Sequence, residues 1–294
     1  MAEAKPLSGL CALVTGGGGG IGRASAKWLL RDGASAVIMG RTESTLIEAK
    51  RELMPFVCEG AELAYCVGDA SQREPLEHAL AQASRPTGKL DIIVAVVGGG
   101  TLRPLLLFDE ASFLEELRIN LVPNFLAIRC GAPLLAKAGG GSIVCISSDA
   151  ARMPWHFLSG YCTAKAGLEA LVRVAALELA TARVRVNAVR PGLVDTNANR
   201  SAHAGETRTD LFGNAEIMRL FLEQKPLGRT GVPDDIGAGV RYLAGPESSW
   251  VTGQSFAIEG GNELTRAPIL EPAVRAAYGD AAIDAVMAGR EFAR

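Results

Sequence analysis

Seven short apolar runs, separated by stretches with helical spacing, constrain this chain more than any one motif does. They cover residues 10–15, 36–39, 63–67, 90–97, 142–147, 184–189 and 250–258. The fourth, LDIIVAVV, is apolar almost throughout, as a strand buried on both faces must be. Strands alternating with helices in this way predict an α/β chain: a parallel seven-stranded sheet with helices on both faces. With 294 residues, 48% of them hydrophobic, the chain can bury such a core as one domain followed by a tail. Ligands of open parallel sheets bind beyond the carboxyl ends of the strands, so the residues just after each run are the candidates for function.

The first run stops at five glycines, residues 16–20, and a helical pattern through Ala24, Trp28 and Leu29 follows. Glycines between a strand and a helix N-terminus let backbone amides approach a pyrophosphate, where the helix adds partial positive charge. A flexible linker would lack both flanking elements. After the second run stands Arg41, 19 residues beyond Gly22, about where a dinucleotide site reads its ribose. No acid stands there, and a guanidinium can grip a 2′-phosphate with two bonds, so NADP(H) is favoured, with NAD(H) the alternative. Asp69, just after the third run, is placed either to accept from an adenine amino group or to cap its own turn.

The fifth run ends in Ser147 and Ser148, and Tyr161 follows 13 residues after Ser148. From there Leu168, Leu171, Val172, Ala175, Ala176 and Leu179 have the spacing of one buried helical face. Tyr161 and Lys165, at i and i+4, stack a phenol beside an ammonium. A nearby cation lowers a phenol pKa from its ordinary value of about 10. Tyr161 is therefore a candidate general acid/base, with Ser148 aimed at the same substrate oxygen. On its own the motif is cheap, since a surface Tyr and Lys one turn apart would look the same. Upstream, residues 110–138 read as one long helix stopped by three glycines, with Pro123 inside it. Proline lacks an N–H and clashes with the carbonyl of Ile119, which predicts a kink around Asn120 and a carbonyl released to hold water.

A net charge of −2 and the lack of any Lys/Arg run point away from nucleic acid and from an anionic membrane as partners. The six cysteines form no CxxC pair and have no histidine at zinc spacing; they read as buried free thiols, and no metal is expected. The first residues have no apolar signal core and no run of about 18 apolar residues occurs, so a cytoplasmic protein is expected. Residues 194–225 are polar and irregular, as in a substrate lid. Residues 153–157, MPWHF, offer an apolar wall in which His156 is a candidate for substrate contact, though no second histidine partners it. Val274, Ala277, Tyr278, Ala281 and Ala285 give residues 273–288 helical spacing, so the tail is expected to pack on a neighbouring subunit or cover the substrate mouth.

In order and spacing the chain resembles the short-chain dehydrogenase/reductase family over about residues 8–264. The matching residues are TGGGGGIG at 15–22, Asp69, Asn120, ISS at 146–148, YCTAK at 161–165, VRVNAVRPG at 184–192 and IEGG at 258–261. The resemblance implies a Rossmann-type catalytic domain over residues 1–264, within which the polar stretch at about 194–225 is the expected lid; residues 265–294 extend beyond the family's common end and are expected to be helical from their spacing. The resemblance also implies a tetrad of Asn120, Ser148, Tyr161 and Lys165. In it the tyrosine moves the proton, the serine bonds the substrate oxygen, the lysine holds the nicotinamide ribose and lowers the tyrosine pKa, and the asparagine anchors a relay water. It places Gly16, Gly20, Ile21 and Gly22 at the pyrophosphate, Arg41 at the 2′-phosphate, Asp69 and Ala70 at the adenine, and Gly98 at the ribose. Tyr161 and Lys165 also border the cofactor, and Pro191, Gly192, Val194 and Thr196 the nicotinamide. Hydride would pass directly between cofactor and substrate carbon, without a metal. The family's usual Asn-Asn-Ala-Gly is replaced by Ala95-Val96-Val97-Gly98, so two side-chain amides must be replaced by backbone or lost. A homo-oligomer, tetramer or dimer, is also implied.

These residues support an NAD(P)(H)-dependent oxidoreductase interconverting a secondary alcohol and a ketone on a hydrophobic, cyclic or steroid-like substrate. A 3-oxoacyl-thioester reductase is the alternative. A catalytically silent nucleotide-binding module ranks last, because neither Tyr161 nor Lys165 is lost.

Overall fold

All seven runs form strands of one sheet in a computed structural model of the chain, which describes residues 5–196, 202–204, 207–209, 215–267 and 269–290. The strands are β1 (Cys11–Thr15), β2 (Ser35–Gly40), β3 (Leu63–Val67), β4 (Ile92–Ala95), β5 (Thr101–Leu102), β6 (Gly141–Ile146), β7 (Val184–Pro191), β8 (Ala202–Ala204), β9 (Thr207–Thr209) and β10 (Ser255–Ile258). Seven of them pair in the order β10-β7-β6-β4-β1-β2-β3, every pair parallel. Their carboxyl ends therefore share one edge. β5, β8 and β9 make a small separate sheet.

The helices are α1 (Gly20–Arg31), α2 (Glu43–Leu53), α3 (Arg73–Ala83), α4 (Glu110–Lys137), α5 (Ser159–Leu179), α6 (Ala215–Leu222), α7 (Pro233–Ala244), α8 (Glu271–Tyr278) and α9 (Asp280–Met287). Side chains of a strand alternate between faces, and both faces are covered. Leu13 points with Ile93 and Ile143 into a core closed by Leu80 of α3, Leu135 of α4 and Leu168 of α5. Val14, Val94 and Val144 point the other way, onto Leu29 of α1, Leu46 of α2 and Val240 of α7. Each such fully buried side chain contributes about 1.5–3 kcal/mol. On α5 the expected face holds: Leu168, Val172, Ala175 and Ala176 are buried, with Leu171 and Leu179 half-buried against the same core.

The structure gives the one long helix expected and corrects several other expectations. α4 runs through both Pro123 and Pro133, with its buried face held between β4, β6 and α5. It is also long and apolar enough to pass for a membrane span, yet much of it is buried in this core. The last strand keeps only residues 255–258 of the 250–258 run. Residues 194–225 are less irregular than their composition suggests, since they contain α6 and two short strands; residues 197–201, 205–206 and 210–214 of the expected lid lie outside the described residues. The tail is two helices, broken at Gly279, whose φ of 85° lies in the left-handed region that ends helices. Of the six free thiols only Cys11, Cys66 and Cys145 are buried, and the other three are half-buried.

Candidate active site

The glycine turn after β1 is held by its own backbone. Gly16 has φ +63°, and a Cβ there would collide with the carbonyl oxygen of Val96. Gly17 N donates to Met39 O and Gly19 N to Gly16 O, so the turn passes tightly over the ends of β1, β2 and β4 into α1. Gly20, Ile21 and Gly22 form the first turn of α1, where helical N–H groups have no partner within the helix. Thr196, buried, lies over Gly20, whose added Cβ would meet its Cγ2 at 2.9 Å. This cradle, which a side chain would fill, fits a pyrophosphate. Arg41 stands exposed after β2, and its charge acts on Asp69 after β3. Asp69 Oδ1 accepts the Ser71 N–H at 2.8 Å, so the turn role is real; burial raises its pKa, but Ser71, Arg41 and Arg118 together hold it below the ordinary range. Ala70 is buried beside it. Pro191, Gly192 and Val194 follow β7, with Val194 bridged to Gly231.

The tetrad residues converge around the loop after β4. Gly98 has φ +150°, and a Cβ there would lie 2.5 Å from Asn120 Oδ1 and 2.9 Å from Lys165 Nζ, so only glycine lets the loop cross both groups. Gly99 N donates to Asn120 Oδ1 at 3.0 Å, while Asn120 Nδ2 donates to Gly99 O at 2.8 Å and to Glu116 O at 2.9 Å. Asn120 thus clamps the loop from a continuous helix. Its own carbonyl accepts from Asn124 Nδ2 at 3.0 Å, a partner the sequence did not suggest. The backbone also takes over at the Ala95-Val96-Val97 departure, where Val96 N donates to Thr15 Oγ1 at 3.1 Å.

Lys165, buried, donates to Ile146 O at 2.9 Å and lies 5.6 Å from the centroid of the Tyr161 ring. The i, i+4 pair meets as expected, but its electrostatics differ from the expectation. Burial pushes the Tyr161 phenol up to about 12, with a Ser148 hydrogen bond opposing the rise, and burial brings Lys165 down to about 8. Loss of water around the phenol sets the rise, and Asp149, Cys162 and Glu116 add to it.

Three features were not visible in the sequence. Asp149, next to Ser148, is buried and bonded to Ser148 and Asn262. Glu116 is buried and accepts from Thr101 N at 3.1 Å. Buried Lys225 lies against the Phe221 ring, 4.0 Å from its centroid. The tail folds back beside the site: Leu270, Val274 and Ile283 pack with Leu102, Leu158, Trp155 and Tyr161, and Tyr278 Oη donates to Leu102 O at 3.1 Å. An acid placed directly after a strand-end serine was the one signal that could have been followed. His156 is exposed and edge-on to Phe157 at 5.9 Å. Among the described residues no cluster of three or more His, Cys, Asp or Glu is placed to hold a metal ion.

A family model described as "Enoyl-(Acyl carrier protein) reductase" matches residues 17–263. A 7alpha-hydroxysteroid dehydrogenase of Clostridium sardiniense is 32% identical over 263 residues, covering 88% of this chain and 95% of that protein. The structure of a short-chain type dehydrogenase/reductase from Mycobacterium ulcerans superposes with a TM-score of 0.87 at 29% identity, over 94% of this chain and 98% of its own. A 7alpha-hydroxysteroid dehydrogenase solved with NADH and 7-oxo glycochenodeoxycholic acid superposes with a TM-score of 0.79 at 30% identity, over 89% and 98%. With the parallel sheet, the glycine turn and the Ser148, Tyr161 and Lys165 geometry already in place, these matches show that the chain belongs to the short-chain dehydrogenase/reductase family.

Proposed function

We propose that this oxidoreductase interconverts a secondary alcohol and a ketone on a hydrophobic substrate of cyclic or steroid-like size, with NADP(H) preferred over NAD(H). The observation that carries the reading is the meeting of Asn120, Ser148, Tyr161 and Lys165 at the Gly98–Gly99 crossing. When bound, the nicotinamide supplies or takes up the hydride. Gly16, Gly20, Ile21 and Gly22 hold the pyrophosphate, Arg41 the 2′-phosphate, Asp69 and Ala70 the adenine, Gly98 with Lys165 the ribose, and Pro191, Gly192, Val194 and Thr196 the nicotinamide.

Tyr161 is protonated at neutral pH and is ready to give its proton to a carbonyl oxygen as that oxygen gains charge. Lys165, at about 8, stays mostly protonated, and its charge favours the phenolate left behind. Ser148 bonds the same oxygen. The tail cluster beside Tyr161 and the half-buried Trp155 and Phe157 supply an apolar wall that suits a bulky ring system. A bile-acid ketone bound to the solved hydroxysteroid dehydrogenase supports that choice. In this reading residues 1–264 are the catalytic unit and 265–294 an extension that closes its substrate side. Exposed Leu114 and Phe125 of α4 and Val174 and Leu177 of α5 suit a homo-oligomer, tetramer or dimer, and six free cysteines suit the cytoplasm.

The test is a fluorescence titration with NADPH and NADH in parallel at low salt. Tighter NADPH binding, weakened about tenfold by Arg41→Ala while NADH is unaffected, is expected of a charge-assisted phosphate contact. A preference for NADH overturns the Arg41 assignment. Turnover of 3-oxoacyl thioesters but of no cyclic ketone would move the reading to a thioester reductase.

A further inference from the structure

Asp149 is 1% exposed, and its two carboxylate oxygens are each engaged. Ser148 Oγ donates to Oδ1 at 3.2 Å, and Asn262 Nδ2 donates to Oδ2 at 2.5 Å. The Ala150 N–H also donates to Ser148 Oγ at 3.2 Å. A hydroxyl has one proton and two lone pairs. With Ala150 on one lone pair, Ser148 has a single proton to give, either back to Asp149 or forward into the site, where the Tyr161 hydroxyl and a substrate oxygen lie. Asn262 already donates to Oδ2, whereas Oδ1 faces Ser148, so a proton on Oδ1 has the Ser148 Oγ to receive it.

We propose that Asp149 is a positioning residue for Ser148. Its protonated carboxyl donates through Oδ1 to Ser148 Oγ and turns the serine proton towards the substrate oxygen, whereas its carboxylate draws that proton away. No proton is transferred by Asp149; it fixes which way the hydroxyl points. The substrate oxygen carries developing negative charge in the transition state, which reduction and oxidation share, so the protonated form is the better catalyst in both directions. The role rests on the oxidoreductase reading above.

The surroundings place this choice within reach of ordinary pH. Burial raises Asp149, while Asn262, Lys225 and Ser148 pull it back, leaving the carboxyl at about 6. Lys225, three residues after α6, is 7% exposed, and among the described residues its Nζ has no hydrogen-bond partner. It acts on both Asp149 and Glu259. On α5, Tyr161 and Cys162 both sense the Asp149 charge. The other nearby charges are paired with one another: Glu169 with Arg190 and Arg152 at 3.6 Å each, and Arg190 with Glu263 at 2.8 Å.

The test is kcat/KM against pH for NADPH-driven reduction of a cyclic ketone by the full chain. The wild type is expected to lose about tenfold as pH rises one unit past the Asp149 midpoint. In Asp149→Asn the amide oxygen accepts from Asn262 and the amide nitrogen donates to Ser148, which reproduces the protonated acid at every pH. This variant is therefore expected to keep its activity where the wild type loses it. Lys225→Met removes the cation that favours the carboxylate, so the falling limb moves to higher pH. A merely structural Asp149 gives an Asn variant that is worse at all pH values with the same limb, and that result overturns the proposal. The carboxyl-carbon NMR titration of Asp149 reads the same bond without turnover: Ser148→Ala raises the midpoint, and an unchanged midpoint also overturns it. A raised midpoint in a protein that turns over no ketone supports the Ser148–Asp149 coupling and places the failure in the oxidoreductase reading.

Discussion

The two halves of the sheet's carboxyl edge are built from different materials. On the cofactor side, after β1 and β4, the surface is backbone: a glycine turn pressed against Val96 and a glycine loop laid over Asn120 and Lys165. On the substrate side, after β6, β7 and β10, it is side chain: Ser148, Asp149 and Asn262 bonded in a row, Lys225 on Phe221, and tail residues against Trp155 and Tyr161. A backbone-built site tolerates little change but accepts one ligand shape. A side-chain-built site can be re-lined by substitution while the sheet beneath it stays the same.

That contrast is sharpened most by Tyr161→Phe, which should lower turnover by about 10²–10⁴-fold, the usual worth of a general acid/base, while NADPH affinity stays nearly intact in a fluorescence titration. An equal loss of affinity would mean that the two halves are not separable. Gly16→Ala should act the opposite way. It forces a Cβ into the Val96 carbonyl and a non-glycine residue into φ +63°, a strain of about 1–3 kcal/mol, so NADPH should bind about 10- to 100-fold more weakly. Unchanged affinity would show that the turn has slack. Ile283→Ala, at a fully buried tail position, should have the smallest catalytic effect. It should cost about 2–5 kcal/mol of packing in the tail, seen as earlier thermal unfolding, and raise KM for a bulky ketone severalfold at unchanged NADPH affinity. A KM that does not move would detach the tail from the substrate side.

The same division explains what could be read in the sequence. Strand order and the convergence of the site follow from local patterns, because a buried parallel strand must be apolar and a turn over neighbouring strands must be glycine. Tyr161 and Lys165 share one helix, so their spacing alone placed them. Asp149, Asn262 and Lys225 lie up to 113 residues apart and meet only when β6 and β10 close around them, and no local pattern announces that. The tyrosine pKa went astray for a related reason. Spacing reveals a neighbouring charge but not how much water folding removes, and here the loss of water dominates. The tail split at Gly279 because a side-chain period continues across a residue whose backbone does not.

The most direct measurement uses NADPH carrying deuterium on nicotinamide C4, mixed with the purified protein and a cyclic ketone, with the product alcohol analysed for label. The expected result is deuterium on the carbinol carbon from one face of the cofactor, with the label transfer reduced by orders of magnitude in Tyr161→Phe. Consumption of cofactor without label in the alcohol, or equal transfer in the Tyr161→Phe variant, would contradict the assignment of this crevice as the site of hydride and proton transfer.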